Sequence, residues 1–302
     1  PGTLSSLGME LDVLPVNNYR VYERLFPDAA IVDASPLIKS VRMIKSPYEM
    51  DLIRQAAQMS DGMFSQVKNL LTDGITELEF ASRVEAVQRK EGHQGYVRLR
   101  TFNRDASISH IMSGSNLAAP SCSPGPTGGV GPNASFPYGA GHKIIEKHEP
   151  VQIDNVGLVG GYLVDQTRTF SVGRLPDKLL RVHDIALNIQ QALVEMAGPG
   201  IEGEKLYNTA LEMADDAGLG DFFMGWGQPV PFVGHGIGIE LDELPVIGKN
   251  SGAKLREGMV LAFEPKFIFP GKGVAGIENS YLVTSNGLER LTLFADAIEV
   301  VG

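Results

Sequence analysis

Apolar positions along the chain follow a helical period in some stretches and a strand-like pattern in others. From residue 46 to about 67, Ile53, Ala56, Ala57, Ser60, Phe64 and Val67 recur at helical spacing, which predicts a helix with one face toward a core. Its start is marked by Ser46 as N-cap, Pro47 at the first helical position and Glu49 three residues after the cap, the pattern of a capping box. Thr76 with Glu79 opens a second helix in the same way, running to about Lys90 and ended by Gly92. The charges of both helices are assigned to solvated faces. Two further helices are expected over about 177–196, through Leu179, Val182, Ile185, Ile189 and Leu193, and about 204–217, through Leu206, Ala210 and Met213. Between residues 113 and 141 the period is lost and Pro, Gly, Ser and Asn accumulate; loops of this length in a compact domain serve as lids or binding segments. Residues 1–45 are mixed, with strand-like 9–14 and 30–33 around a helix at 19–25, a span too small to fold alone.

Two stretches read as β-hairpins that carry acids inside apolar strands. In residues 151–170, Gly160-Gly161 supplies the reversal, since glycine enters the φ > 0 conformations of a tight turn without steric cost. A turn centred on Val159-Gly160 sets Asp154 opposite Asp165; a centre one residue later sets it opposite Thr167, on the same face. Like charges across a strand pair repel, so the two aspartates call for a cation. Residues 258–284 form a second hairpin with Pro270-Gly271-Lys272 at the bend, and a centre on Gly271 sets Glu264 opposite Glu278. Between the hairpins, His235 stands between Gly234 and Gly236 after a short apolar strand. Four half-buried carboxylates without cations are costly or stay protonated. A pair of metal ions accounts for all four, with His235 as the fifth ligand. So oxygen-rich a set suits Mn²⁺, Co²⁺, Fe²⁺ or Zn²⁺, and Mg²⁺ less, because it keeps more water.

Composition narrows the partners. With 302 residues, 43% of them hydrophobic, the chain is long enough for one large or two smaller cores. A formal charge of −10 argues against nucleic acid and anionic membranes and for small molecules or peptides. No apolar run reaches the length of a membrane span and no signal peptide is visible. The single cysteine, Cys122, excludes an intramolecular disulfide and suits the cytoplasm; without a paired histidine nearby in sequence it is set aside as a nucleophile. The glycines at 128, 129 and 131 are set aside as a phosphate cradle, because no helix of the right period follows them.

Taken together, Asp154, Asp165 in Asp-x-Thr-Arg-Thr-Phe, His235 in His-Gly-x-Gly, Glu264 in Phe-Glu-Pro and Glu278 in Gly-Ile-Glu-Asn resemble the five metal ligands of the pita-bread metallohydrolases. That family includes methionine aminopeptidase, aminopeptidase P, prolidase and creatinase. The ligand order, the eleven residues between the aspartates and the fourteen between the glutamates resemble the prolidase and aminopeptidase P branch. The resemblance implies an α+β pita-bread fold: a curved, mostly antiparallel sheet, helices outside it, and two halves related by a pseudo-twofold axis. It implies a catalytic domain over residues 46–302, with residues 1–45 as the tail of a creatinase/prolidase-type N-terminal domain, and a homodimer. It further implies two divalent ions (Mn, Co, Zn or Fe), with Asp154 on one, His235 and Glu264 on the other, and Asp165 and Glu278 bridging. The implied activity is that of an Xaa-Pro dipeptidase or aminopeptidase P: a metal-activated hydroxide attacks a peptide carbonyl, and Glu264 passes the proton to the leaving amine.

The chain also departs from that branch. Seven residues after His235, where a second histidine is usual, stands Asp242, whose charge would repel a substrate carboxylate. The upstream Pro-His has Ser121 or Tyr138 as its counterpart, and an arginine two positions before the last glutamate is replaced by Gly276. His110, His142 and His148 are assigned to the surface. These departures keep two alternatives open: a pita-bread enzyme of non-peptidase type, a C–N hydrolase or lyase on a small metabolite, and a catalytically silent relative.

Overall fold

The computed structural model describes residues 4–101, 106–120 and 125–302. The chain begins with two short parallel strands, β1 (Ser6–Met9) and β2 (Ala30–Asp33), linked by helix α1 (Val16–Leu25) and followed by α2 (Ser35–Met43). The strand expected at 9–14 therefore ends where it was expected to begin. Leu14 N–H bonds to the Glu10 carbonyl at 3.1 Å, closing a turn instead. Helix α2 went unpredicted; Leu37, Ile38 and Val41 are exposed on it, so it shows no apolar stripe of the usual kind.

Helices α3 (Pro47–Gln66) and α4 (Glu77–Lys90) start at the expected caps. In α3 the Ser46 hydroxyl accepts from Glu49 N–H and the Glu49 carboxylate accepts from Ser46 N–H, a complete capping box. The assignment of charges to solvated faces fails at Glu77, which is fully buried. Its carboxylate accepts from the backbone and hydroxyl of Ser113, the amide of Asn116 and the backbone of Gly141. One α4 side chain thus gathers both ends of the glycine- and proline-rich stretch. This stretch also holds the end of β3 (Ser109–Ser113) and one helical turn, α5 (Gly114–Leu117).

Next comes the hairpin of β4 (Val151–Val159) and β5 (Tyr162–Val172). Gly160 and Gly161 take φ of 58° and 87°, the positive values a two-residue hairpin turn needs at both central positions. The turn therefore centres between them, and Asp154 faces Thr167 while Asp165 faces Val156. This is the second of the two registers considered above; direct opposition of the aspartates does not occur. Helices α6 (Asp177–Met196) and α7 (Gly203–Asp216) follow, as the apolar period predicts.

The last third supplies β6 (Phe232–Gly236), β7 (Glu243–Gly248), β8 (Val260–Phe263), β9 (Lys266–Phe269), β10 (Gly273–Gly276), β11 (Asn279–Thr284), β12 (Gly287–Arg290) and β13 (Glu299–Val301). One sheet runs β13-β5-β4-β3 and another β12-β11-β8-β6-β7, with β9-β10 as a separate ladder. Apart from β13 beside β5, the pairs in these sheets are antiparallel. Thr167 and Glu278 exchange backbone hydrogen bonds across the gap between the two large sheets, which joins them into one curved layer. Apolar clusters lie between this layer and the helices: α6 and α7 cover the second sheet, and α3 and α4 the first. The molecule is thus an α+β fold with helices outside a curved, largely antiparallel sheet. No helix among the described residues is long and apolar enough to cross a membrane.

Candidate metal centre

Pro265 has no N–H to give to a ladder, and it separates β8 from β9 on one strand as Ile277-Glu278 separates β10 from β11 on the other. Both ladders keep one register, with Phe263 opposite Asn279 and Lys266 opposite Gly276. Glu264 and Glu278 sit in the interruption between them, facing each other as the bend on Gly271 predicts. Glu264 N–H is held by the Val233 carbonyl at 2.9 Å. Asp154 and Asp165 come from the neighbouring strands β4 and β5, and Asp165 N–H is fixed by the Ser280 hydroxyl at 3.1 Å. His235 comes from β6, which runs between β7 and β8. A Cβ at Gly234 would lie 2.3 Å from the Ala262 carbonyl oxygen, and one at Gly236 would lie 2.2 Å from that of Leu244. The glycines flanking His235 are thus required by close strand approach.

The imidazole is oriented by its own strand. His235 Nδ1 lies 3.0 Å from the Gly236 carbonyl oxygen, which can only accept, so Nδ1 carries the proton and Nε2 is left toward the acids. Around Nε2 stand Glu278 Oε1 at 3.8 Å, Asp165 Oδ2 at 3.9 Å and Glu264 Oε1 at 4.0 Å. Ligand atoms of Asp165, His235 and Glu278 all lie within 4.8 Å of one another, and the three residues are buried. The other glutamate oxygens turn away from His235 to a residue the sequence reading missed. Lys266 Nζ donates to Asp154 Oδ2 at 2.9 Å, Glu264 Oε2 at 3.0 Å and Glu278 Oε2 at 2.9 Å, and its side chain is 0% exposed. The available signal was a lysine two positions after Glu264 in an apolar strand, hence on the same face, opposite a glycine that leaves it room.

Charge and burial set the proton affinities. Burial opposes the Lys266 ammonium, but Asp154, Glu278 and Glu264 outweigh it and raise its pKa well above the ordinary lysine value. Burial likewise pushes Asp154 up, and the charges of Lys266 and His110 more than reverse this, so its carboxyl ends below the usual range. Asp165 lies well above that range, through burial and then the charges of Glu278 and Asp154. Burial pushes Glu278 up to about 7 despite Lys266, helped by Glu264 and Asp154. His235 is raised: burial disfavours its charged form, but Asp242, Glu264 and Glu278 favour it more.

The acids line a cavity of about 560 Å³. Tyr138 lines it, with its ring 4.4 Å from that of Phe136 and 5.7 Å from that of His110. His110 corrects its surface assignment: it faces Asp154 across the β3–β4 ladder and lines the cavity. Burial lowers its pKa. His142 and His148 are exposed, as expected. Asp242 lines the cavity, but its carboxylate, 52% exposed, lies 3.7 Å from the Nδ1 side of His235, away from the other acids. Ser121 and Cys122 lie outside the described residues. Arg42 and Arg100 reach the rim, bound by Glu240, Glu243, Glu10 and Asp12.

Comparison with known proteins fits this arrangement. The model of metallopeptidase family M24 matches residues 51–285, and that of the creatinase/prolidase N-terminal domain matches residues 1–44. The chain belongs to metallopeptidase family M24. Among M24 relatives, it is 32% identical over 292 residues to the Xaa-Pro dipeptidase of Pyrococcus horikoshii, covering 96% of this chain and 73% of the relative. The Xaa-Pro dipeptidase of Pyrococcus furiosus is also 32% identical, over 256 residues, covering 85% of this chain and 65% of the relative. The X-Pro aminopeptidase structure from Thermotoga maritima superposes with a TM-score of 0.83 at 28% identity, covering 98% of this chain and 76% of that one. With such neighbours the α+β layer described above is the prolidase pita-bread fold.

An M24 chain is expected to use divalent metal. Bonds of about 2.0–2.2 Å let donors on opposite sides of an ion stand up to about 4.2 Å apart. Asp165, His235 and Glu278, whose ligand atoms lie within 4.8 Å of one another, could hold one ion, and Glu264 Oε1 stands 4.0 Å from His235 Nε2 beside them. On the Asp154 side, Lys266 already engages one oxygen each of Asp154, Glu264 and Glu278.

Proposed function

We propose that this chain is a metal-dependent hydrolase of short peptides of the Xaa-Pro type. The observation that carries the reading is the convergence of Asp165, Glu264 and Glu278 on His235 Nε2, within 4.0 Å, in the lining of a cavity. A volume of about 560 Å³ suits a ligand of dipeptide size. The names of the relatives, Xaa-Pro dipeptidase and X-Pro aminopeptidase, favour peptide substrates.

In this reading Asp165, His235, Glu264 and Glu278 hold the ion, which when bound polarises the carbonyl and makes water more acidic. Glu264 takes the proton of the attacking water and returns it to the departing amine. Tyr138 and His110, which line the same cavity as His235, orient the substrate carbonyl and exclude water. Residues 46–302 form the catalytic unit, and residues 1–45 contribute the rim through Lys39 and Arg42. We extend the reading to a cytoplasmic homodimer that uses Mn²⁺, Co²⁺, Zn²⁺ or Fe²⁺.

The test is release of proline from a panel of Xaa-Pro dipeptides by chain stripped of metal and then supplied with each of these ions. Turnover is expected only with metal and is expected to vanish in His235→Ala. Asp242 favours a second reading, since its half-exposed carboxylate on the cavity wall disfavours a substrate with a free carboxylate; C–N hydrolysis or elimination on a neutral or cationic metabolite would suit it better. Metal bound without peptide turnover would point there, and absence of any bound metal would sink both readings.

A further inference from the structure

We infer that Lys266 is a built-in cation standing in for one of two metal ions, so that the centre takes a single divalent ion on its His235 side. The inference rests on the metal dependence proposed above and adds the number and position of the ion. Lys266 Nζ has three protons to donate, and each goes to a different carboxylate: Asp154 Oδ2, Glu264 Oε2 and Glu278 Oε2, at 2.9–3.0 Å. The ammonium therefore sits between β4 and the Glu264–Glu278 junction, bonded to one oxygen of each of three of the five expected ligands.

The two glutamates divide their oxygens between the two positions. Each gives Oε2 to Lys266 and turns Oε1 toward His235 Nε2, at 4.0 Å for Glu264 and 3.8 Å for Glu278. Asp165 Oδ2 joins them at 3.9 Å. One position is therefore filled by an ammonium, and at the other the ligand atoms of Asp165, His235 and Glu278 lie within 4.8 Å of one another, a set that could hold a metal.

Lys266 is built into this position. Its backbone is fixed by the ladder to Gly276 and by Met224 N–H donating to its carbonyl at 2.9 Å. A Cβ at position 276 would come within 2.8 Å of Lys266 Cγ, so glycine there clears the path of the lysine stem. The side chain is fully buried; withdrawing it to admit a second ion would leave a buried ammonium apart from its carboxylates, an arrangement that proteins strongly disfavour.

The experiment counts ions. Wild-type chain and Lys266→Gly, which removes both the charge and the stem, are equilibrated by dialysis against Mn²⁺ and against Zn²⁺ and analysed for metal per chain, with thermal unfolding followed in parallel. The expected result is one ion per wild-type chain and two per variant chain, with a larger rise of melting temperature on metal addition in the variant. Two ions in the wild type would overturn the inference and leave the proposed metal dependence standing, as would one ion in both proteins. No ion in either would overturn the metal dependence and the inference with it. Should Lys266→Gly fail to fold, the wild-type count alone still decides between one ion and two.

Discussion

Arg168 heads the fully buried side chains of the described residues by size, at 1% exposure. It donates to the carbonyls of Thr167, Glu278, Phe294 and Ala295 and to the side chain of Asn279, and lies 3.1 Å from Asp296. Burial brings its pKa down to about 10, still a full cation at neutral pH. Because two of those carbonyls belong to Thr167 and Glu278, Arg168 clamps the point where the two sheets meet beside the candidate metal centre. Arg168→Met, which keeps the stem and removes the donors, is expected to cost about 3–5 kcal/mol by leaving the buried carbonyls of Thr167 and Glu278, and that of Ala295, short of a donor, read as a lower midpoint in urea unfolding. The residue stood in the Asp-x-Thr-Arg-Thr-Phe motif, yet sequence gave no role for it: its partners lie on β11 and in the segment around Phe294, and no local period points there.

At the scale of elements, local chemistry was decisive where it was self-contained. The capping box of α3 needs only residues 46–49, and it forms as expected. Ser46→Ala is expected to cost about 1 kcal/mol, checked by chemical denaturation, with the fold otherwise unchanged. The first hairpin was harder, because burial of both faces of β4 and β5 removes the alternation that normally fixes register. The turn settled it: both glycines at positive φ put the reversal between them, and Asp154 consequently faces Thr167. Helix α2 was invisible for the opposite reason, since its apolar residues Leu37, Ile38 and Val41 are exposed and do not form an inward stripe.

Across the whole molecule, burial of neutral histidines couples stability to pH. His93 Nδ1 accepts from Gly95 N–H while Nε2 bonds to the Val156 carbonyl, and His183 Nε2 bonds to the carbonyl of Asp296. Burial lowers the pKa of both rings. A folded-state pKa below the unfolded value means that the unfolded chain binds the extra proton first. The contribution of each ring is therefore complete above about pH 6.5 and is lost as pH falls toward the folded-state value. Calorimetry at pH 7.5 and 5.5 is expected to show a smaller acid-induced fall of melting temperature in His183→Gln than in the wild type; equal falls would contradict it. The raised pKa values of Asp165 and Glu278 act with the opposite sign, which is why the comparison is between variant and wild type.

The sequence by itself determined what depends on neighbours within a few residues or on the order of rare residue types: the capped starts of α3 and α4, the hairpin at Gly160-Gly161, and, through the order of Asp154, Asp165, His235, Glu264 and Glu278, the family. Only the tertiary structure decided how those acids are neutralised. Lys266 meets Asp154 across 112 residues of chain, and His110 turns inward because β3 pairs with β4 in one register. Such partnerships follow from which strands converge and at what stagger, and convergence is a property of the packed sheet. A lysine in an apolar strand is a solvated end or a buried cation according to what the sheet brings opposite it, and here the sheet brings three carboxylates.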